Sequence, residues 1–303
     1  MKEDARVERA YRLCERETRV SARNFYYGIR LLPRDKRRSV AALYAFSRRA
    51  DDAVDDLEGA EARIALSKVR GELAAAREPD HRESDDPLVV ALGDTVERYR
   101  LPQEPFEGLL SGMERDLLRP RLTTVRALRE YARQVAGTVG VLSLEIFGYS
   151  DPGARALAEE MGIALQYTNV IRDVAVDAGM GRRYVPSELL DAFGSDPDAL
   201  FRGEWNPGVR EALRTLGGLA EEAYRKSAAL FSLVAPDARA CPEVLYAIYH
   251  EVLRVMARRD YDVFRQRARL TLATKLRLAG GIVWRTRRRG VVASSSSGPA
   301  SRV

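Results

Sequence analysis

Two short stretches concentrate the side chains able to do chemistry. "RRADDAVDD", residues 48–56, sets Asp51, Asp52, Asp55 and Asp56 directly behind Arg48 and Arg49. Like charges one helical turn apart repel by roughly 0.2–0.5 kcal/mol per exposed pair, and by more once they leave water. A solvated turn or a bound cation must offset that. The four-residue spacing puts Asp51 and Asp55 on one helix face, and Asp52 and Asp56 on another. "NVIRDVAVD", residues 169–177, repeats the theme with Asn169, Asp173 and Asp177 in one column. The apolar residues between them, Val170, Ile171, Val174 and Val176, predict a largely buried helix. Buried carboxylates without partners are costly, so this column is expected to hold cations. An all-oxygen ligand set suits Mg²⁺ or Mn²⁺. Mg²⁺ is usually held by one or two carboxylates together with waters and phosphate oxygens. Beside each cluster stands an arginine, Arg48 or Arg172, the side chain best shaped to grip phosphate. Two such clusters on facing helices of a bundle describe a diphosphate site. A single acidic run is most often a solvated face. The second cluster, on an apolar helix, has few such explanations.

Other chemistries fall away. The chain has two histidines. His81 lies in a charged loop, and His250 lies in a tyrosine-rich helix where packing or hydrogen bonding is the simpler role. A histidine triad or a zinc site is therefore not supported. Cys14 and Cys241 are far apart and in no metal spacing, which fits a reducing compartment. Gly137 and Gly140 in "VAGTVG" do not follow a strand, so they do not form a nucleotide loop. They suit close helix packing, a smooth apolar wall beside a ligand, or both. The net charge is +6, from 50 bases against 44 acids. The bases are nearly all arginine, with acids interspersed, and no basic stripe or nucleic-acid module is present. The charged N-terminus is not a signal peptide, and no apolar run reaches the 18 or so residues of a membrane span. The expected location is cytoplasmic, with peripheral membrane contact open.

The elements that must carry these residues read as helices almost throughout. Val40, Leu43, Tyr44 and Ser47 share one face ahead of the first acidic run. Leu157, Met161, Ala164, Leu165 and Thr168 share one face ahead of the second. Helical periodicity also covers 61–77, 88–100, 103–118, 125–147, 208–232 and 242–270. Loops are predicted at 77–87, 148–153, 191–208 and 235–242. The fold class is all-α, with residues 1–285 as one domain. Residues 286–303 read as a disordered Arg/Ser-rich tail whose arginines could touch anionic lipid.

On these residues the chain resembles a known family. "LLPRDKRRSVAALYAFSRRADDAVDD" and "ALQYTNVIRDVAVDAGMGRRYVP" look like the two aspartate-rich signatures of the squalene/phytoene synthases. "YARQVAGTVG" and "YDVFRQRARLTLATK" are similar to its middle and C-terminal blocks. The resemblance runs from about residue 10 to 285. It implies an isoprenoid-synthase helical bundle with a central apolar cavity, which joins two prenyl diphosphates head to head with Mg²⁺. It places metal-diphosphate binding on Asp51, Asp55, Asn169, Asp173 and Asp177. Substrate contacts map onto Tyr44, Arg48, Gln166, Arg172, Tyr249 and Arg267, and proton transfer near the cation onto Tyr131. Val176 stands where relatives often have Glu, and Arg133 and Gln134 where they are often aromatic or small. "ARNFYYGIRLLP" and "FSRRADDAVDD" are most similar to the bacterial presqualene diphosphate synthases of hopanoid pathways. Phytoene synthases tend to carry Glu where this chain has Asp52. The resemblance thus implies two farnesyl diphosphates as substrate and presqualene diphosphate as product. Phytoene, squalene and dehydrosqualene synthesis are the alternatives within the family, and NADPH enters only if the product is squalene. A non-catalytic isoprenoid-binding or assembly protein of the same fold is the alternative of another class. The oligomeric state is not legible.

Overall fold

Two long helices dominate the computed structural model, which describes residues 5–22 and 24–295, with side chains as far as Thr286. The first, α3 (Arg34–Asp55), starts after Pro33, whose extended backbone sets the helix entry. The second, α9 (Ala154–Gly179), lies at the centre. Against α9 pack α8 (Thr138–Phe147), α11 (Pro207–Ser227) and α13 (Ala240–Arg258). Around α3 pack α1 (Ala5–Ser21), α4 (Gly59–Ala76), α5 (Pro87–Tyr99) and α6 (Gln103–Asp116). The short helix α2 (Phe25–Ile29) and the last helix, α14 (Leu272–Ser295), close one side. Local chemistry sets several starts. Asp86 caps α5 by accepting from the Leu88 N–H at 2.8 Å, and Asn206 caps α11 by accepting from the Val209 N–H at 2.9 Å. In both helices proline takes the first turn, where its missing N–H costs nothing.

Close approach of α9 to α8, and to the turn just ahead of α8, depends on glycine. A Cβ on Gly140 would strike the Ala158 carbonyl, and one on Gly162 the Ala136 carbonyl. Both glycines also line the cavity described below, so packing and smooth wall coincide at Gly140.

The structure corrects several expectations. The periodic run 125–147 is interrupted by a π-turn at Arg133–Gly137, between Val125–Ala132 (α7) and α8. The run 208–232 breaks after Ser227. The run 242–270 ends as a helix at Arg258. Asp260 and Tyr261 adopt left-handed backbone, and the Tyr261 N–H turns back to the Met256 carbonyl at 2.8 Å. Arg267, Ala268, Arg269 and Leu270 of the freed segment then line the cavity described below. His81 lies in the expected charged loop, but in a 3₁₀ turn that buries it beneath Gly93, where any Cβ would meet its ring. Val176 is 48 % exposed, so the α9 carboxylate column is not apolar on every side. Helix α14 continues to Ser295, across the start of the Arg/Ser-rich segment 286–303. Residues 296–303 lie outside the described residues.

Candidate active site

A cavity of about 690 Å³ lies between α3, α8, α9 and α13, within the roughly 300–1,000 Å³ typical of ligand sites. The stripe of α3 that faces it is Val40, Leu43, Tyr44, Ser47, Arg48 and Asp51, spaced three or four residues apart. The stripe of α9 is Ala158, Met161, Gly162, Leu165, Gln166, Asn169 and Arg172. Each stripe starts apolar and turns polar toward the helix C-terminus. The two helices therefore run the same way along the cavity and deliver their acids to one end. That end is a poor place for carboxylates, because a helix C-terminus carries partial negative charge. The structure thus brings the two acidic motifs of the sequence to the same end of the cavity.

Positive groups hold the acids apart. Arg48 bonds Asp51 at 3.1 Å and also pairs with Asp52. Arg182 reaches across from the end of α9 to α3, donating to an Asp55 oxygen at 2.5 Å and to the Val54 carbonyl at 2.7 Å. Arg172 donates to both oxygens of Asp173, at 2.9 and 2.6 Å, and Arg267 adds a third bond at 2.7 Å. Arg49 faces away to Glu72 and Asp86 and supports α3 rather than the site.

The charges leave a clear electrostatic pattern. Burial and the neighbouring Asp173 charge raise Asp177 to about 8, against the opposing pull of Arg182. Burial and the Asp55 charge raise Asp51 to about 7, although its side chain keeps 41 % of its surface open toward the cleft. Burial also acts on Asp173, yet Arg172 and Arg267 hold it below the usual carboxylate range. The Asn169 Nδ2 donates to Gln166 at 3.3 Å, and this leaves the Asn169 Oδ1 buried without a partner.

These features fit a divalent cation. The donors are hard oxygens, one buried acceptor lacks a partner, and two carboxylates carry raised pKa values that a nearby cation would lower. Among the described residues no three acidic, histidine or cysteine groups converge closely enough to hold an ion by themselves. An Mg²⁺ ion here would draw the rest of its shell from water and phosphate oxygens.

Tyr44, Arg48, Asp51, Gln166, Asn169, Arg172, Tyr249 and Arg267 all line the cavity. Asp55, Asp173 and Asp177 stand at its acidic end, behind that lining. Tyr131 is placed differently from the expectation. It is buried behind the wall, and its hydroxyl donates to Asp116 at 2.9 Å. Tyr184 stacks on it with ring centres 4.6 Å apart and donates to the other Asp116 oxygen at 2.6 Å. Arg133 and Gln134 both turn to Glu130.

Asp116, Tyr184 and Arg182 escaped the sequence reading. Asp116 had a signal: it follows Leu109 and Met113 on the apolar face of α6, where a carboxylate needs a reason. Burial raises it to about 6, while the two tyrosine hydroxyls and Arg182 hold it down. Arg182 and Tyr184 follow Gly181, whose positive φ turns the chain back, so helical spacing did not reach them.

An all-α bundle with an apolar cavity, closed at one end by opposed acids and arginines, defines an isoprenoid-synthase fold. The family model "Squalene/phytoene synthase" matches residues 18–274, and the chain belongs to that family of head-to-head prenyltransferases. It is 36% identical to the phytoene synthase of Mycobacterium tuberculosis (strain ATCC 25618 / H37Rv), over 90% of each chain. It is 31% identical to the presqualene diphosphate synthase of Rhodopseudomonas palustris (strain ATCC BAA-98 / CGA009), over 84% of this chain and 90% of that one. A crystal structure of a dehydrosqualene synthase in complex with ligand superposes with TM-score 0.84 at 27% identity, covering 93% of this chain and 98% of that one. The leaning of the motifs toward presqualene diphosphate synthases is thus not matched by overall identity, which is somewhat higher to phytoene synthases.

Proposed function

We propose that this prenyltransferase condenses two farnesyl diphosphates to presqualene diphosphate, with Mg²⁺ held by Asp51, Asp55, Asn169, Asp173 and Asp177. The observation that carries the reading is the meeting of both acidic motifs at one end of an apolar cavity. When bound, Mg²⁺ supplies Lewis-acid stabilisation of the departing diphosphate. The protein does the rest. Arg48, Arg172 and Arg267 stand where they can pass from carboxylate to phosphate oxygens, so charge developing on the leaving group meets donors already in place. The apolar stripes of α3 and α9, with Gly140 and Gly162, hold the prenyl chains and exclude water from the allylic cation. Tyr44 and Tyr249 present hydroxyls within the cavity. Burial raises both, Tyr249 to about 12, so each stays a neutral donor. Tyr131 acts through Asp116 and Tyr184 rather than by contact with substrate.

The choice of product is supported by "ARNFYYGIRLLP" and by Asp52 in the first motif. A second reading, geranylgeranyl diphosphate to phytoene, is favoured by the 36% identity to a phytoene synthase. Incubation with farnesyl or geranylgeranyl diphosphate and Mg²⁺, with and without NADPH, separates the two. The proposal expects a C30 cyclopropyl diphosphate from farnesyl diphosphate without NADPH. Turnover of geranylgeranyl diphosphate alone, to phytoene, would replace it with the second reading.

A further inference from the structure

After Asp262 the chain contains no Asp or Glu at all, although acids and bases are nearly balanced overall. Arg269, Lys275, Arg277 and Arg285 all fall in this stretch, followed by the arginine run 287–289. The same stretch forms α14, one face of which carries large apolar side chains more than half exposed. Leu272 is 60 % exposed, Leu276 55 % and Trp284 56 %. With Ala273 and Gly280 they make one stripe on the solvent side, while Ile282 on the opposite side is buried. Arg277 borders the stripe. Elsewhere, exposed large apolar side chains are scattered.

The position of this face matters. Arg269, Leu270 and Lys275 line the prenyl cavity, so α14 begins at its mouth. The Lys275 ammonium lies 5.5 Å from the centre of the Tyr27 ring on α2. On the other flank of α2, Arg30 joins Arg16 and Arg19 around a second, smaller depression. That depression also holds Glu15 and lies on α1 to α3, so the bases that flank the stripe itself are those of α14, Lys275, Arg277 and Arg285.

We propose that α14 and the adjoining end of α2 dock on an anionic lipid bilayer, with Leu272, Leu276 and Trp284 set into the interface and the flanking bases on lipid phosphates. An amphipathic helix with Leu and Trp on one face and Arg at its borders has the chemistry of an interfacial helix. Tryptophan favours the headgroup level of a membrane. Net positive charge without acids matches an anionic surface and disfavours a neutral one. Among the described residues no helix is long and apolar enough to cross a membrane, so the contact is peripheral. Docked this way, the cavity mouth faces the bilayer, and a prenyl chain passes between the two without crossing water.

The test uses the full chain carrying Trp205→Phe, which leaves Trp284 as the single tryptophan. Vesicles of phosphatidylcholine with phosphatidylglycerol should shift its emission to the blue and co-float the protein. Vesicles of phosphatidylcholine alone should do neither. Leu272→Glu, Leu276→Glu and Trp284→Glu combined, on the native chain, should lower co-flotation at least tenfold while turnover in detergent solution stays unchanged, since none of the three lines the cavity. No association with the anionic vesicles overturns the proposal. So does association that survives the triple substitution, or a concentration-dependent dimer abolished by that substitution, which would assign the face to a second copy of the chain.

Discussion

At the residue scale, the site crowds carboxylates together, and arginines and raised pKa values offset their repulsion. Asp51 and Asp177 have raised pKa values near 7 and 8. A carboxylate that binds its proton more tightly folded than unfolded stabilises the fold fully below its unfolded value of 3.8, and that contribution is lost as pH rises through the folded value. The metal-free protein should therefore melt at progressively lower temperature from pH 5 to pH 8.5. Asp177→Asn, fixed in the uncharged form, should flatten that slope, and Mg²⁺ with inorganic diphosphate should raise the melting temperature most at the alkaline end. A melting temperature indifferent to pH in the native protein would contradict the assignment. Arg182 is the internal counter-cation. Its guanidinium is buried against Asp55, which is about one-third exposed at the side chain. Arg182→Met should cost about 2 kcal/mol in urea unfolding, less than the roughly 3–5 kcal/mol of a fully buried pair because solvent screens Asp55. Mg²⁺ with diphosphate should recover part of that loss.

At the element scale, two parallel stripes and one close contact build the cavity. The three- and four-residue spacing of the α3 and α9 linings was readable from the sequence, because one helix face must alternate with the rest at that period. Both acidic motifs were readable for the same reason. The cavity-lining segment after α13 was not. Its amphipathic pattern continues past Arg258, and only the left-handed Asp260 and Tyr261 end the helix. The inward turn of Arg182 and the pairing of Tyr131 and Tyr184 on Asp116 depend on contacts between distant segments, which no local period encodes. Gly162 tests the packing directly. A side chain there meets the Ala136 backbone, so Gly162→Leu should destabilise by about 1–3 kcal/mol. It should also depress turnover through loss of cavity shape. Unchanged stability in urea unfolding would mean that α9 and the π-turn at Arg133–Gly137 do not approach as closely as described.

At the scale of the whole molecule, we propose that the C-terminal ends of α3 and α9 act as a single Mg²⁺-diphosphate site. The fold and the family place the chain among head-to-head prenyltransferases. The joint action of the two motifs is a thermodynamic statement and can be measured as one. Farnesyl thiodiphosphate, which resists ionisation, can be titrated calorimetrically into the native protein with Mg²⁺ and with chelator. Asp51→Ala, Asp173→Ala and the double variant follow, with circular dichroism to verify the fold of each. The account predicts Mg²⁺-dependent binding, a loss on the order of 100-fold or more in each single variant, and a double variant scarcely worse than either, because coupled groups are non-additive. Binding that ignores chelator, or two losses that add as independent terms, would contradict it.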